Sequence, residues 1–290
     1  MEPVVSDIRR GIAWAILPVL AALAVRLCLE PAYLTAEYAA LVLLVLVFGT
    51  SQLWLTRRTT PARIRAGLPV NLIAINVGYL AIGRALTSHA GWRADRLIFG
   101  FDQLLFDGDP QRFLAPLSVP WLSTVVMLGY LSFFALLLYL FLSEAFALGH
   151  ATGRVQLGLM RLYGIGFATY VLLPAAGPAF HHPELLPPIQ HSAFTAALQP
   201  WVLSNCSQVD VCPSLHAAVC AFTLTWLFRR RRALFWFLLP VAGALLLGTV
   251  YLQYHYFVDV PCGIALGVAT APSLSHEHRT PVLESVVAAR

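Results

Sequence analysis

The sequence contains no lysine, and few of its residues carry a charge. Only 11% of the 290 residues are charged, whereas 59% are hydrophobic, and the mean hydropathy is +0.73. Soluble domains have roughly 25% charged residues, so this composition excludes a soluble globular protein and indicates an integral membrane protein. The net charge of +5 comes from arginines. They lie in short segments between apolar runs, which leaves no soluble basic domain to bind nucleic acid.

The five cysteines form no C-x-x-C pair, which argues against a thiolate metal site. Only Cys206 and Cys212 share a polar segment. In an oxidising compartment they could form a disulfide, and the sequence leaves a bridge and two free thiols equally open.

A group of histidines, His181, His182 and His191, precedes Asp210 in the same polar segment. Such residues can ligate zinc, but their spacing matches no zinc-site pattern. We therefore expect a solvated loop, and we predict neither a metal site nor another cofactor.

Eight apolar segments approach the length of about 20 residues that a hydrocarbon core requires. They cover approximately residues 12–29, 33–55, 68–86, 119–147, 157–175, 213–228, 233–252 and 256–272. The predicted fold class is all-α, a polytopic transmembrane helical bundle of about eight spans.

The arginines also predict the orientation. With the N-terminus in the cytoplasm, fourteen lie inside and four outside, and the four are Arg84, Arg93, Arg96 and Arg112. Residues 87–118, 176–212 and 253–256 then lie on the non-cytoplasmic side. A bacterial inner membrane is the predicted location.

Residues 93–115 mix charged and apolar side chains. The charges exclude a span, and the apolar content predicts a helix in the membrane interface. This helix could be a lid or platform over the outer mouth, or a plain connection.

Two short polar motifs stand where apolar segments begin, a position at which ionisable groups are costly and usually functional. His255 and Asp259 are four residues apart, so on a helix they share one face. The carboxylate would fix the tautomer of the imidazole and leave its other nitrogen free as a nucleophile. The spacing predicts a His-Asp dyad.

The second motif places His216 three residues after Pro213, a residue favoured in a first helical turn. Backbone N–H groups there, with the Ser214 hydroxyl, would cradle a phosphate oxygen, and His216 could protonate a leaving alkoxide. One histidine would attack phosphorus while the other assists departure. Discharge by water gives a phosphatase, and discharge by another alcohol gives a transferase.

At these residues the chain resembles the type 2 phosphatidic acid phosphatase superfamily, which has Pro-Ser-x-His and His-x-x-x-Asp motifs. The similarity covers approximately residues 68–272, and Gly177-Pro178 falls at the first motif. The match is nearest to the inositol phosphorylceramide synthase-like branch, which shares Pro-Ser-Leu-His and the element from Thr249 to Asp259. Residues 102–108 are similar to an upstream element of that branch.

The resemblance implies a six-helix core, a site facing outwards and no metal. It implies His255 as nucleophile, Asp259 as its orienting partner and His216 as general acid. The predicted substrate contacts are Ser214, Gly177, Pro178, Thr249 and Tyr254. The predicted parts are N-terminal transmembrane helices at 1–66, a phosphatase-like catalytic membrane domain at 67–275 and a cytoplasmic tail at 276–290.

The chain departs from the phosphatase branch because the basic residues of the first and third motifs are absent. This favours a phosphodiester over a dianionic monoester and hence a transferase. The four outer arginines could supply charge or simply anchor the interface. The expected partners are a lipid phosphate or phospholipid donor, an alcohol or water acceptor and membrane lipids. A lipid phosphate phosphatase acting on phosphatidate or polyprenyl phosphate, or a catalytically inactive lipid-binding homologue, remains the alternative.

Overall fold

The computed structural model describes residues 2–55, 61–88, 91–107, 110–147 and 150–272. The predicted tail at 276–290 lies outside them. Within these ranges the chain is helical, without a β-strand, and one isolated bridge joins Ala175 to Asp210. The helices are α1 (Glu2–Leu29), α2 (Ala36–Leu55), α3 (Pro61–Thr87), α4 (Asp95–Phe106), α5 (Pro110–Leu114), α6 (Pro120–Ala147), α7 (His150–Leu172), α8 (Pro178–His181), α9 (Ala193–Ser204), α10 (Leu215–Arg230), α11 (Arg232–Tyr251) and α12 (Asp259–Thr270).

The all-α membrane fold is confirmed, and each predicted apolar segment is a helix. Six of the eight, rather than all, are long and apolar enough to cross a membrane: α1, α2, α3, α6, α7 and α11. The other two are shorter, with 16 residues in α10 and 12 in α12. At 1.5 Å per residue they are about 24 and 18 Å long, because neighbouring residues form the loops of the site instead.

The two short helices, α10 and α12, pack closely against each other. A Cβ added to Gly263 would clash with the Ser214 carbonyl oxygen, and one added to Gly267 would clash with that of Ala218. Only glycine permits this approach. It brings the beginnings of α10 and α12 together.

The longer helices surround this pair, with α1 packed along α7 and α6 along α11. The predicted division after residue 66 falls inside α3 and stays a prediction.

One end of the bundle is built from loops and from α4. The buried face of α4 contacts the segments that precede α8, α10 and α12, through Ile98, Ala175, Val211 and Tyr256. The opposite face exposes large apolar side chains, namely Leu97, Phe101, Leu104 and Leu105. This amphipathic arrangement is typical of an interfacial helix. The contacts of its buried face show that α4 is packed on these loops, while a lid or platform over the outer mouth stays a prediction.

Candidate active site

The N-terminus of α10 lies at the centre of this end. Ser214 is the N-cap, and its Oγ accepts a hydrogen bond from the backbone N–H of Ala217 at 3.3 Å. Its own N–H donates to the Asp259 carbonyl at 3.1 Å. The helix therefore begins at Leu215, and Pro213 precedes the cap instead of lying in the first turn as predicted.

His255 lies in the loop between α11 and α12, not on a helix. Its backbone N–H donates to the Thr249 carbonyl at 3.0 Å, and α12 begins only at Asp259. The prediction that His255 and Asp259 share a helical face is therefore wrong. The loop still brings the two side chains near each other, with His255 Nδ1 3.6 Å from Asp259 Oδ2.

A backbone carbonyl sets the tautomer of His255. Nδ1 is 3.0 Å from the Val211 carbonyl oxygen, and Nε2 is 3.3 Å from Ser214 Oγ. A carbonyl oxygen can only accept, so Nδ1 carries the proton, and the unprotonated Nε2 accepts from the Ser214 hydroxyl. The Asp259 carboxylate, fully buried, accepts from the Tyr256 N–H at 2.9 Å.

The ring of His216 lies beside that of His255. The two ring centroids are 5.7 Å apart, with planes inclined at 68°. The His216 ring stacks on Tyr130 at 4.5 Å and contacts Phe133 at 4.4 Å. The two imidazoles are therefore close enough for both to contact one bound phosphoester group.

The Gly177-Pro178 turn packs against the loop of His255. Gly177 has a φ of 89°, and a Cβ there would lie 2.6 Å from the Tyr254 carbonyl oxygen. Two residues on, the N–H of Ala179 donates to the Gln253 carbonyl at 3.1 Å. Glycine is needed here both for its backbone conformation and for the close contact.

Thr249 and Tyr254 lie beside these loops. The Thr249 hydroxyl donates to the Leu246 carbonyl at 2.7 Å and the side chain is fully buried. What Thr249 contributes to the site is its backbone carbonyl, which accepts from the His255 N–H and so holds the loop of His255. The Tyr254 ring packs on Tyr130 at 4.8 Å, and burial raises the pKa of its hydroxyl.

Sequence reasoning missed Asp95, whose buried carboxylate holds the first loop in place. It accepts from the N–H of Ala176 at 2.9 Å, from that of Gly177 at 2.9 Å and from the Tyr256 hydroxyl at 3.1 Å. An aspartate between two arginines, here Arg93 and Arg96, is typical of an exposed helix end. The available signal was a second aspartate, seven residues later on the same helical face.

That second aspartate, Asp102, holds the loop before α12. Its carboxylate accepts from the N–H groups of Phe257 at 2.7 Å and Val258 at 2.9 Å. These residues immediately precede Asp259. Through Asp95 and Asp102, α4 fixes the Gly177 loop and the His255 loop relative to each other.

We expect Asp102→Asn to misplace His255 without removing any reacting group. An amide cannot accept from both N–H groups as the carboxylate does, because it presents one oxygen and one donor group. The free energy of unfolding should fall by about 2 kcal/mol. A displaced loop should lower kcat about 10- to 100-fold with little change in KM.

Thermal unfolding and steady-state kinetics on the purified protein check this. Asp107→Asn is the matched control, since Asp107 is exposed at the C-terminus of α4. Equal kcat values for the two variants would contradict a positioning role for Asp102.

The four arginines that were predicted to lie outside the membrane have different surroundings. The Arg93 side chain lies 3.6 Å from the Asp95 carboxylate and donates to the Gln208 carbonyl. It therefore links the beginning of α4 to the loop before α10. The side chains of the other three are exposed: Arg84, Arg96 and Arg112.

All five cysteines are free, including Cys206 and Cys212, so the structure has two thiols where the sequence left a disulfide open. Burial and the neighbouring Asp259 carboxylate raise the pKa of Cys212. Burial raises that of Cys206 to about 12. Both thiols are therefore protonated at neutral pH.

Among the described residues, no cluster of histidine, cysteine and acidic side chains could hold a metal ion. His182 instead belongs to the edge of the site. Its ring lies 4.3 Å from that of Phe99, and its Nε2 is 3.3 Å from the Tyr256 hydroxyl. Burial and the adjacent His181 lower its pKa.

A comparison with protein families matches residues 99–272, more than half of the chain, to the model described as PAP2 superfamily. The matched range contains the Gly177 turn, His216, His255 and Asp259, as well as Asp102. No curated protein and no solved structure gives a significant match.

Proposed function

The chain belongs to the PAP2 superfamily of lipid phosphatases and phosphotransferases, and from this premise we propose that it transfers a phosphoryl-bearing headgroup between lipid alcohols. The proposed reaction is similar to that of inositol phosphorylceramide synthase and passes through a phosphohistidine at His255. The main support for this proposal is that the imidazole rings of His216 and His255 are neighbours, with their centroids 5.7 Å apart.

In the first step, the Nε2 lone pair of His255 attacks phosphorus and the bond to the lipid alcohol breaks. His216 gives its proton to the departing alkoxide. The Ser214 hydroxyl, which lies beside Nε2 in the resting site, is then free to donate to a phosphate oxygen. Backbone N–H groups of the first turn of α10 favour the same anion.

The phosphorylated His255 ring retains its Nδ1 proton and is positively charged. The Val211 carbonyl at 3.0 Å and the Asp259 carboxylate at 3.6 Å both favour that charge. Asp259 thus supports the intermediate electrostatically, while Val211 orients the ring.

In the second step, His216 takes the proton of an acceptor alcohol, whose oxygen attacks phosphorus. The P–N bond breaks and the lone pair returns to Nε2. Because Tyr130 and Phe133 pack against the His216 ring, its charged form is poorly solvated, and the negative charge of the bound phosphoester has to stabilise it. Both histidines end the cycle in their starting states.

The preference for transfer over hydrolysis rests on charge. A phosphodiester carries one negative charge, which amides, hydroxyls and imidazoles can meet. A monoester dianion usually requires basic side chains, and the first and third motifs have none. Family membership equally supports a lipid phosphate phosphatase as the second candidate.

Wild-type protein in lipid nanodiscs tests the proposal. The donor is phosphatidylinositol labelled in its phosphate, the acceptor is ceramide, and phosphatidate and a polyprenyl phosphate are assayed separately. We expect the label to move to ceramide with little inorganic phosphate released. Phosphate release without transfer would establish the phosphatase instead. No turnover of any of these lipids would favour an inactive lipid-binding homologue.

A further inference from the structure

A cavity of about 140 Å³ opens beside His216. It lies between α3, α6, α7 and α9, and most of its wall is aromatic or aliphatic. His216 belongs to the wall and His255 does not. Typical small-molecule sites measure roughly 300–1,000 Å³, so this cavity admits only the end of a lipid and the first carbons of its chain.

The polar side of the cavity is acidic. Among the described residues of its wall, Asp210 is the one carboxylate, and apart from His216 none has a side chain that could be positively charged. Asp210 Oδ2 accepts from the Tyr79 hydroxyl at 2.8 Å, and that hydroxyl accepts from the Ser207 N–H at 3.0 Å. These contacts hold the carboxylate in one orientation.

Asp210 keeps hydrogen-bonding capacity for a ligand. Its Oδ1 has no hydrogen-bond partner in the part of the chain that the structure describes. A carboxylate accepts but does not donate. A ligand group beside it must therefore carry a hydroxyl, amide or amine hydrogen, and a phosphate anion would be repelled.

The position of His216 indicates which part of a substrate enters. A general acid and base must contact the oxygen that leaves or attacks, so the cavity on the side of His216 receives the alcohol and not the phosphate. Building on the transfer reaction proposed above, we propose that this cavity binds the lipid alcohol and that Asp210 selects alcohols with a second hydrogen-bond donor beside the reacting hydroxyl.

The expected selectivity follows from the carboxylate. A hydrogen bond to a charged group is stronger than one between neutral groups. An alcohol without the second donor would displace water from Asp210 and leave the carboxylate without a hydrogen bond. Sites built to bind a substrate hydroxyl reject analogues that lack it for the same reason. The affinity difference should be about tenfold or more.

Binding of two matched alcohols to the full-length protein in nanodiscs tests this, read from the tryptophan fluorescence because Trp201 lines the cavity. The probes are 1-O-dodecylglycerol, a vicinal diol, and 3-dodecyloxypropan-1-ol, which lacks the second hydroxyl. We expect the diol to bind at least about tenfold more tightly to the wild type. In Asp210→Asn the difference should shrink to about twofold, because a neutral amide accepts more weakly.

Glu184→Gln is the control, since this outer carboxylate is exposed and its loss changes the net charge equally. Equal affinities in the wild type would overturn the proposal, as would an unchanged ratio in Asp210→Asn. If that variant does not fold, the wild-type comparison decides alone. The measurement needs no turnover, so absent transfer with the diol preference intact would refute the proposed reaction and leave the alcohol site standing.

Discussion

Replacing His255 by alanine is expected to abolish both headgroup transfer and phosphate release, lowering kcat by at least about 10⁴-fold. The reason is that the covalent intermediate has no other nucleophile to form on. The Nε2 lone pair is available because the Val211 carbonyl holds the proton on Nδ1. Quenching the wild type during turnover should trap the phosphoryl-bearing headgroup on His255, which peptide mass spectrometry at alkaline pH can locate.

His191→Ala serves as the control for this experiment, since His191 is exposed in the loop before α9. It should retain full activity and a normal label at position 255. A phosphorylated residue other than His255, or an alanine variant with a tenth of wild-type activity, would be incompatible with the assigned nucleophile.

The helices could be predicted from the sequence because long apolar runs have few other structures available in a membrane. The short α12 shows the limit of that argument. Its apolar run begins at Tyr256, but the helix begins at Asp259, since Gln253 adopts a φ of 64° and the chain turns before it becomes helical. A local turn of this kind leaves no mark in the hydropathy.

The pairing of His216 and His255 could be predicted because each motif stands at the beginning of an apolar segment and both beginnings lie on the same side of the bundle. The groups that orient the two rings could not be predicted. The Val211 carbonyl is a backbone group with no side-chain signature, and it reaches His255 only through the tertiary fold. Asp95 was equally hidden, because an aspartate next to arginines is typical of a solvated helix end, whereas here it is fully buried against the Gly177 loop.

His216→Ala is expected to reduce transfer from a natural phospholipid by about 10²- to 10⁴-fold, the usual contribution of a general acid or base. The loss should depend on the leaving group. An alkoxide departs only with a proton, whereas p-nitrophenolate is stable without one. The phosphorylation step of a p-nitrophenyl phosphodiester should therefore survive the substitution, provided that the role of His216 is proton transfer.

The second step should remain slow in the same variant, because activating the acceptor alcohol also requires His216. Stopped-flow measurement should then show a burst of about one p-nitrophenolate per protein molecule, followed by almost no turnover, with the phosphoryl group stored on His255. The two substrates control for each other, since a misfolded site would lose both reactions. Equal losses with both would mean that the His216 ring, stacked on Tyr130 at 4.5 Å, supports the site structurally and transfers no proton.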